Sequence, residues 1–223
     1  MTASPIAFPF TAHIGPPPVA TAATAVRAAI DGALAARGKA HVVIGTDAVA
    51  LAVLEAIGQG DLSSWKHVTC WLVADGPGGP AAAAVRARLP GVRCIGPRVE
   101  PDALAACASH YAYELEGLPA GKREGDGPTA DLVLLGIDAS WAELDEAGRL
   151  APPDRLAWPT TTGKVTIAMP VLRAARERIL VVTEPDSGEL GRDLVRYFNA
   201  PEGTKPAAFV GVLDGRGPVR LFA

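Results

Sequence analysis

Two rhythms alternate along the chain. Short apolar runs bounded by turn residues, at 41–44, 67–74, 92–95, 131–136, 165–168, 178–183 and 207–214, read as strands, several of them buried on both faces. Between them, apolar residues recur at helical spacing. Val19, Ala23, Val26, Ile30 and Leu34 predict a helix over 19–36, stopped by Gly38. Val49, Val53, Leu54 and Ile57 share one face of a second helix, with Thr46 or Asp47 as its N-cap. An Ala-rich helix runs to about residue 89. Leu104, Ala108, Tyr111 and Leu115 stripe a helix over 101–115. Pro170 suits the first turn of a helix over 170–177, and 187–199 reads as another.

Strand and helix therefore alternate throughout, the signature of βαβ units. The expected fold class is α/β: a doubly wound, mainly parallel sheet with helices on both faces, in three layers. Residues 1–18, rich in Pro and Phe, read as an extended lead-in, 117–127 as a loop and 150–164 as a Pro- and Thr-rich connection. Residues 19–223 are expected to form a single domain, with no repeat or dividing linker.

A net charge of −3 without a long basic run gives no footprint for nucleic acid or an anionic membrane surface. No signal peptide and no membrane-length apolar span is read, so a cytoplasmic protein is expected. Cys70, Cys94 and Cys107 have no metal-binding spacing and read as buried free thiols; no metal or cofactor is expected.

The stretch 131–141 draws the search for a site. In open α/β sheets ligands bind beyond the carboxyl ends of the strands, and here a buried strand runs into Gly136 and a polar turn. Asp138 could serve as a base if burial raised its pKa, or simply form a turn or cap. Ser140 could cap the following helix or stand beside an anion there. Trp141 would fill or narrow a pocket, or pack. In 160–164, Thr162 and Lys164 could contact a phosphate, although Trp158 and Val165 depart from a Walker A pattern. Asp75 ends a strand before Gly76, Gly78 and Gly79, a loop that reads either as a ligand contact or as a plain connection. The four histidines, His13, His41, His67 and His110, lie in the lead-in, at strand starts or on a helix, away from the expected ligand side.

The order of segments resembles the family of 6-phosphogluconolactonase and glucosamine-6-phosphate isomerase. Asp131-Leu132-Val133-Leu134-Leu135-Gly136 resembles the strand leading into that family's Gly-Met-Gly-x-Asp-Gly-His turn. Lys164-Val165-Thr166-Ile167-Ala168-Met169-Pro170-Val171-Leu172-Arg173-Ala174-Ala175 resembles its Arg-Ile-Thr-Leu-Thr-x-Pro-Val-Leu-Asn-Ala-Ala segment. The strand from Trp65 to Asp75 resembles the one that ends in Asp-Glu-Arg, and Val212-Leu213-Asp214 fits the final strand. The resemblance implies a doubly wound domain binding a phosphorylated sugar. It also implies a histidine acting on water, and the departures fall there. That histidine would stand near Ala142, yet the chain has none after His110. The phosphate loop Ser-Gly-Gly-Ser-Thr-Pro is reduced to Ile44-Gly45-Thr46-Asp47.

Three functions are weighed. The first is a divergent relative that binds a phosphorylated sugar or similar small anion, or a protein partner, with lost or altered catalysis. Its ligand residues would be Gly45, Thr46, Gly136, Ser140, Thr162 and Lys164. The second is an active 6-phosphogluconolactonase with Asp138 or Asp75 as substitute base. The third is a structural or regulatory subunit, with a homo-oligomer as one possible assembly.

Overall fold

In the computed structural model, which describes residues 10–13, 15, 17–120, 127–136, 144, 147, 150–152, 154–183 and 217–222, the apolar runs become neighbouring parallel strands. In chain order the elements are β1 (Phe10–His13), α1 (Pro18–Arg37), β2 (Ala40–Ile44), α2 (Ala48–Gly58), β3 (Val68–Leu72) and β4 (Ala74–Asp75). They continue with α3 (Pro80–Arg88), β5 (Arg93–Ile95), α4 (Leu104–Leu115), β6 (Leu132–Gly136), β7 (Ala157–Pro159) and β8 (Val165–Ile167). The last are α5 (Met169–Ala174), β9 (Arg178–Val181) and β10 (Val219–Phe222).

Seven strands form the main sheet in the order β1-β10-β9-β6-β2-β3-β5, all parallel. From β2 the chain moves outward through β3 to β5. From β6 it moves the other way through β9 and β10. The order reverses between β2 and β6, which makes their carboxyl ends the topological switch point.

Alternate residues of each central strand feed two separate cores. Val42, Ile44, Leu132, Leu134, Ile179 and Val181 pack under α1, α2 and α3. Val43, Val133, Leu135, Leu180 and Val182 pack on the other face, under α4, α5 and the small sheet. A strand covered on both sides has no polar face to show, which is why these segments read as unbroken apolar runs. The three-layer α/β expectation holds.

Local signals explain most boundaries. Gly38 ends α1 in the left-handed conformation, φ 70°, with its N–H on the Leu34 carbonyl. Pro80 and Pro170 sit in the first turns of α3 and α5. The Tyr111 hydroxyl donates to the Leu72 carbonyl at 2.6 Å, tying α4 to β3, and burial pushes this phenol well above its ordinary pKa. All three cysteines are free thiols; burial raises Cys70 strongly and lifts Cys94 to about 11.

Several expectations change. Within the expected lead-in, Phe10–His13 pairs with β10 as an edge strand. The strand expected over 67–74 breaks at Val73, and its end, β4, joins a second, antiparallel sheet in the order β4-β8-β7. The Pro- and Thr-rich connection contributes β7, and the short β10 was not anticipated. Helix α1 reaches membrane length and apolarity by composition alone, with a mean hydropathy of 1.3 in its most apolar window, contrary to the reading of no such span. Here it lies against α2 and the sheet, with Ala22, Ala23, Val26, Ile30 and Ala33 buried. The helix expected over 187–199 and the strand over 207–214 lie outside the described residues.

Candidate functional site

At the switch point Gly45 follows β2 and Gly136 ends β6, and the Gly45 N–H donates to the Leu134 carbonyl at 2.7 Å. The second sheet overhangs this end. Val73 links the two sheets, its N–H on the Ile44 carbonyl at 2.8 Å and its carbonyl accepting from Ile167 N–H at 2.7 Å. The overhang brings Lys164 and Thr166 to the same place. The resulting cleft, about 60 Å³, has as described lining residues Gly45, Thr46, Asp47, Val73, Ala74, Leu135, Gly136, Leu144, Lys164 and Thr166.

Asp47 is the charged centre of this arrangement. It is 9% exposed and caps α2, with Oδ1 accepting from Ala50 N–H at 2.7 Å. Its Oδ2 accepts from Gly136 N–H at 3.1 Å, joining residues 89 positions apart. The two glycines make room for this carboxylate. A Cβ on Gly136 would collide with Asp47 Oδ1 and approach the Val49 Cβ to 2.6 Å. One on Gly45 would stand 2.5 Å from Oδ2. Glycine is required at both strand ends for close approach, since neither has positive φ.

Lys164 follows the turn of the β7–β8 hairpin. Thr160 N–H donates to the Lys164 carbonyl at 2.8 Å, Lys164 N–H donates to Thr160 Oγ1 at 3.2 Å, and Gly163 takes φ 78°. Thr162 shares a 2.8 Å hydroxyl contact with Thr160 and is exposed on the turn, outside the cleft lining. Thr166 lines the cleft, but its hydroxyl donates to the Val73 carbonyl at 3.1 Å.

Asp75 has a different assignment from the substitute base considered above. It is 2% exposed, and its carboxylate accepts from Gly76 and Ala81 N–H at 2.9 and 3.0 Å and from Ala82 N–H at 3.0 Å. Three backbone donors, two of them in the first turn of α3, commit it to holding this loop and helix start. It does not line the cleft.

No histidine lines the cleft either. His41 lies near the amino end of β2, where its Nδ1 accepts from Trp71 Nε1–H at 3.3 Å and burial holds its pKa below the ordinary value. His13 stacks on Phe222, His67 ends a 3-10 turn, and His110 faces Glu114 on α4. Among the described residues, no group of three His, Cys, Asp or Glu could hold a metal ion.

The structure thus brings Gly45, Thr46, Gly136 and Lys164 together, and leaves Thr162 and Asp75 outside the lining. Asp138, Ser140 and Trp141 lie outside the described residues. Asp47 in the cleft is the residue sequence reasoning missed. Its capping role was readable from Gly-Thr-Asp after a strand, but nothing local shows that its second oxygen reaches Gly136.

No family model matches the chain, and no curated protein matches it in sequence. Solved structures do match over nearly its whole length. A 6-phosphogluconolactonase from Shewanella baltica is 20% identical, with a TM-score of 0.73 and 97% of each chain covered. The 6-phosphogluconolactonase of Trypanosoma brucei is 13% identical, with a TM-score of 0.75 over 97% of this chain and 96% of that one. A monomeric glucosamine-6-phosphate deaminase of the NagB superfamily is 14% identical, with a TM-score of 0.66 over 95% and 96%. At these identities the likeness is one of architecture, and it agrees with the resemblance read from the sequence: the chain has the fold of the 6-phosphogluconolactonases and of this deaminase.

Proposed function

We propose that the chain is a divergent 6-phosphogluconolactonase-like protein that binds a phosphorylated sugar or similar small anion at the switch-point cleft, with catalysis lost or altered. The observation that carries this reading is what converges there and what does not. Gly45, Thr46, Gly136 and Lys164 meet at the carboxyl ends of β2 and β6, where such folds take ligands. Lys164 supplies the positive charge for a phosphate group. The lactone reaction needs a group of near-neutral pKa to activate water, and histidine is the usual one. None of the four histidines lines the cleft, and the undescribed segments beyond residue 136 contain none in sequence.

The other reading, an active lactonase with substitute residues, now rests on Asp138, because Asp75 is committed to α3. Thermal unfolding with 6-phosphogluconate tests the binding reading. A ligand at 100 times its Kd stabilises by roughly 2.7 kcal/mol. The expected result is a rise in Tm for the wild type that Lys164→Met removes; no rise at saturating ligand would refute the reading. Turnover of the lactone that Asp138→Asn abolishes would establish the second.

A further inference from the structure

We propose that the contact between His41 and Trp71 is a proton-sensitive latch at the amino end of the main sheet: a proton taken up on His41 Nδ1 removes the acceptor of the Trp71 indole N–H and releases that buried ring from β2. The latch lies at the opposite end of the strands from the cleft and does not depend on what the cleft binds.

His41 shares a face of β2 with Val43, which pairs in register with Trp71 of β3 and joins it in the core beneath α4. The indole Nε1–H donates to His41 Nδ1 at 3.3 Å, with the two rings tilted by 31°. An indole nitrogen can only donate, so the nitrogen it meets is the unprotonated one. The neutral ring therefore carries its proton on Nε2, an atom buried without a hydrogen-bond partner. In the imidazolium both nitrogens donate, and two N–H groups would point at each other. One of the two rings then has to turn away. The surrounding charges give the histidine a direction to turn. Asp131 favours the proton, and its Oδ2 accepts from the His41 backbone N–H at 2.9 Å, while Arg37 and Arg176 hold Oδ1. Burial opposes the proton most, and Lys39 and Arg93 oppose it too. Glu114, on the α4 that covers this face, acts on Tyr111. Trp71 itself is buried, and its far edge lies beside Gly117, where a Cβ would stand 3.9 Å from Trp71 Cη2. One indole thus spans from the charged end of β2 to the chain just past α4.

NMR of the chain labelled at its indole nitrogens tests this, because Trp65, Trp71, Trp141 and Trp158 each give one N–H signal. Trp71→Phe identifies the Trp71 signal by its loss. If that variant folds poorly, the signal is the one that His41→Gln displaces. As pH falls below 6.5, the Trp71 signal should shift with the same midpoint as the His41 ring protons. His41→Gln offers a neutral acceptor that does not titrate, so the shift should disappear there. By reciprocity, Trp71→Phe should raise the His41 midpoint by roughly 0.4–1 pH unit, the worth of one neutral hydrogen bond. A Trp71 signal that stays fixed while His41 titrates would overturn the proposal. So would a shift that persists in His41→Gln, or a His41 that takes up no proton before the chain unfolds.

Discussion

The paired strands β2 and β6 carry a buried carboxylate at each end, and the two are treated in opposite ways. At the amino end, Asp131 sits between two guanidinium groups, Arg37 at 2.8 Å and Arg176 at 3.3 Å, and accepts from His41 N–H at 2.9 Å. At the carboxyl end, Asp47 accepts from the backbone amides of Ala50 and Gly136 and shares a cleft with Lys164. The first is compensated by charge and closes off the end of the sheet. The second accepts from backbone amides beside two close glycines, and lines a cavity. One pair of strands thus has a fastening at one end and a shaped recess at the other, which is the division expected of a scaffold that binds at its carboxyl edge.

The sharpest way to break this contrast is to fill the recess. Gly136→Ala should destabilise the fold by about 3 kcal/mol, because the new Cβ meets the hydrogen-bonded Asp47 carboxylate and stands 2.6 Å from the Val49 Cβ. Urea unfolding measures this; a loss within experimental error would mean that the carboxylate can move aside freely. Next in size is the fastening. Asp131→Ala should cost about 2 kcal/mol, less than a fully buried pair because Arg37 is 37% exposed. Raising the salt concentration should weaken the wild type more than this variant. Asp47→Ala should cost about 1 kcal/mol, the ordinary loss of an N-cap, in the same urea measurement. A salt response unchanged by Asp131→Ala would remove charge pairing from the amino-end fastening.

The smallest effect concerns pH. Burial holds His41 below its ordinary 6.5, against the raising influence of Asp131 and with Lys39 and Arg93 lowering it further. The folded chain therefore takes up this proton less readily than the unfolded one. The neutral-histidine contribution is complete above 6.5 and is lost as pH falls from there through the folded-state value. His41→Gln should flatten the stability profile as pH falls below 6.5. An unchanged slope would remove His41 from the amino-end cluster.

The fold was largely legible because its central strands are buried on both faces and its helices carry caps and stripes. What could not be read depends on pairing at a distance. Phe10–His13, at the sheet edge, and Val219–Phe222, next to it, are four-residue segments that become strands only because β10 and β9 offer partners. Ala74 turns away from the main sheet because Thr166, remote in sequence, pairs with it. The same limit governed the site. Gly45 and Gly136 stood out as strand ends, whereas Asp47 reaches Gly136 only in three dimensions. Asp75 looked like a ligand-side acid because the amides that engage it, at Ala81 and Ala82, belong to the next helix.

The central claim, a retained site without its usual acid/base group, is tested most directly by the hydrolysis rate of 6-phosphogluconolactone with purified protein against the spontaneous rate. The expected result is a rate at or near the spontaneous one. Turnover at roughly 1–1,000 per second, the ordinary range for enzymes, would contradict it.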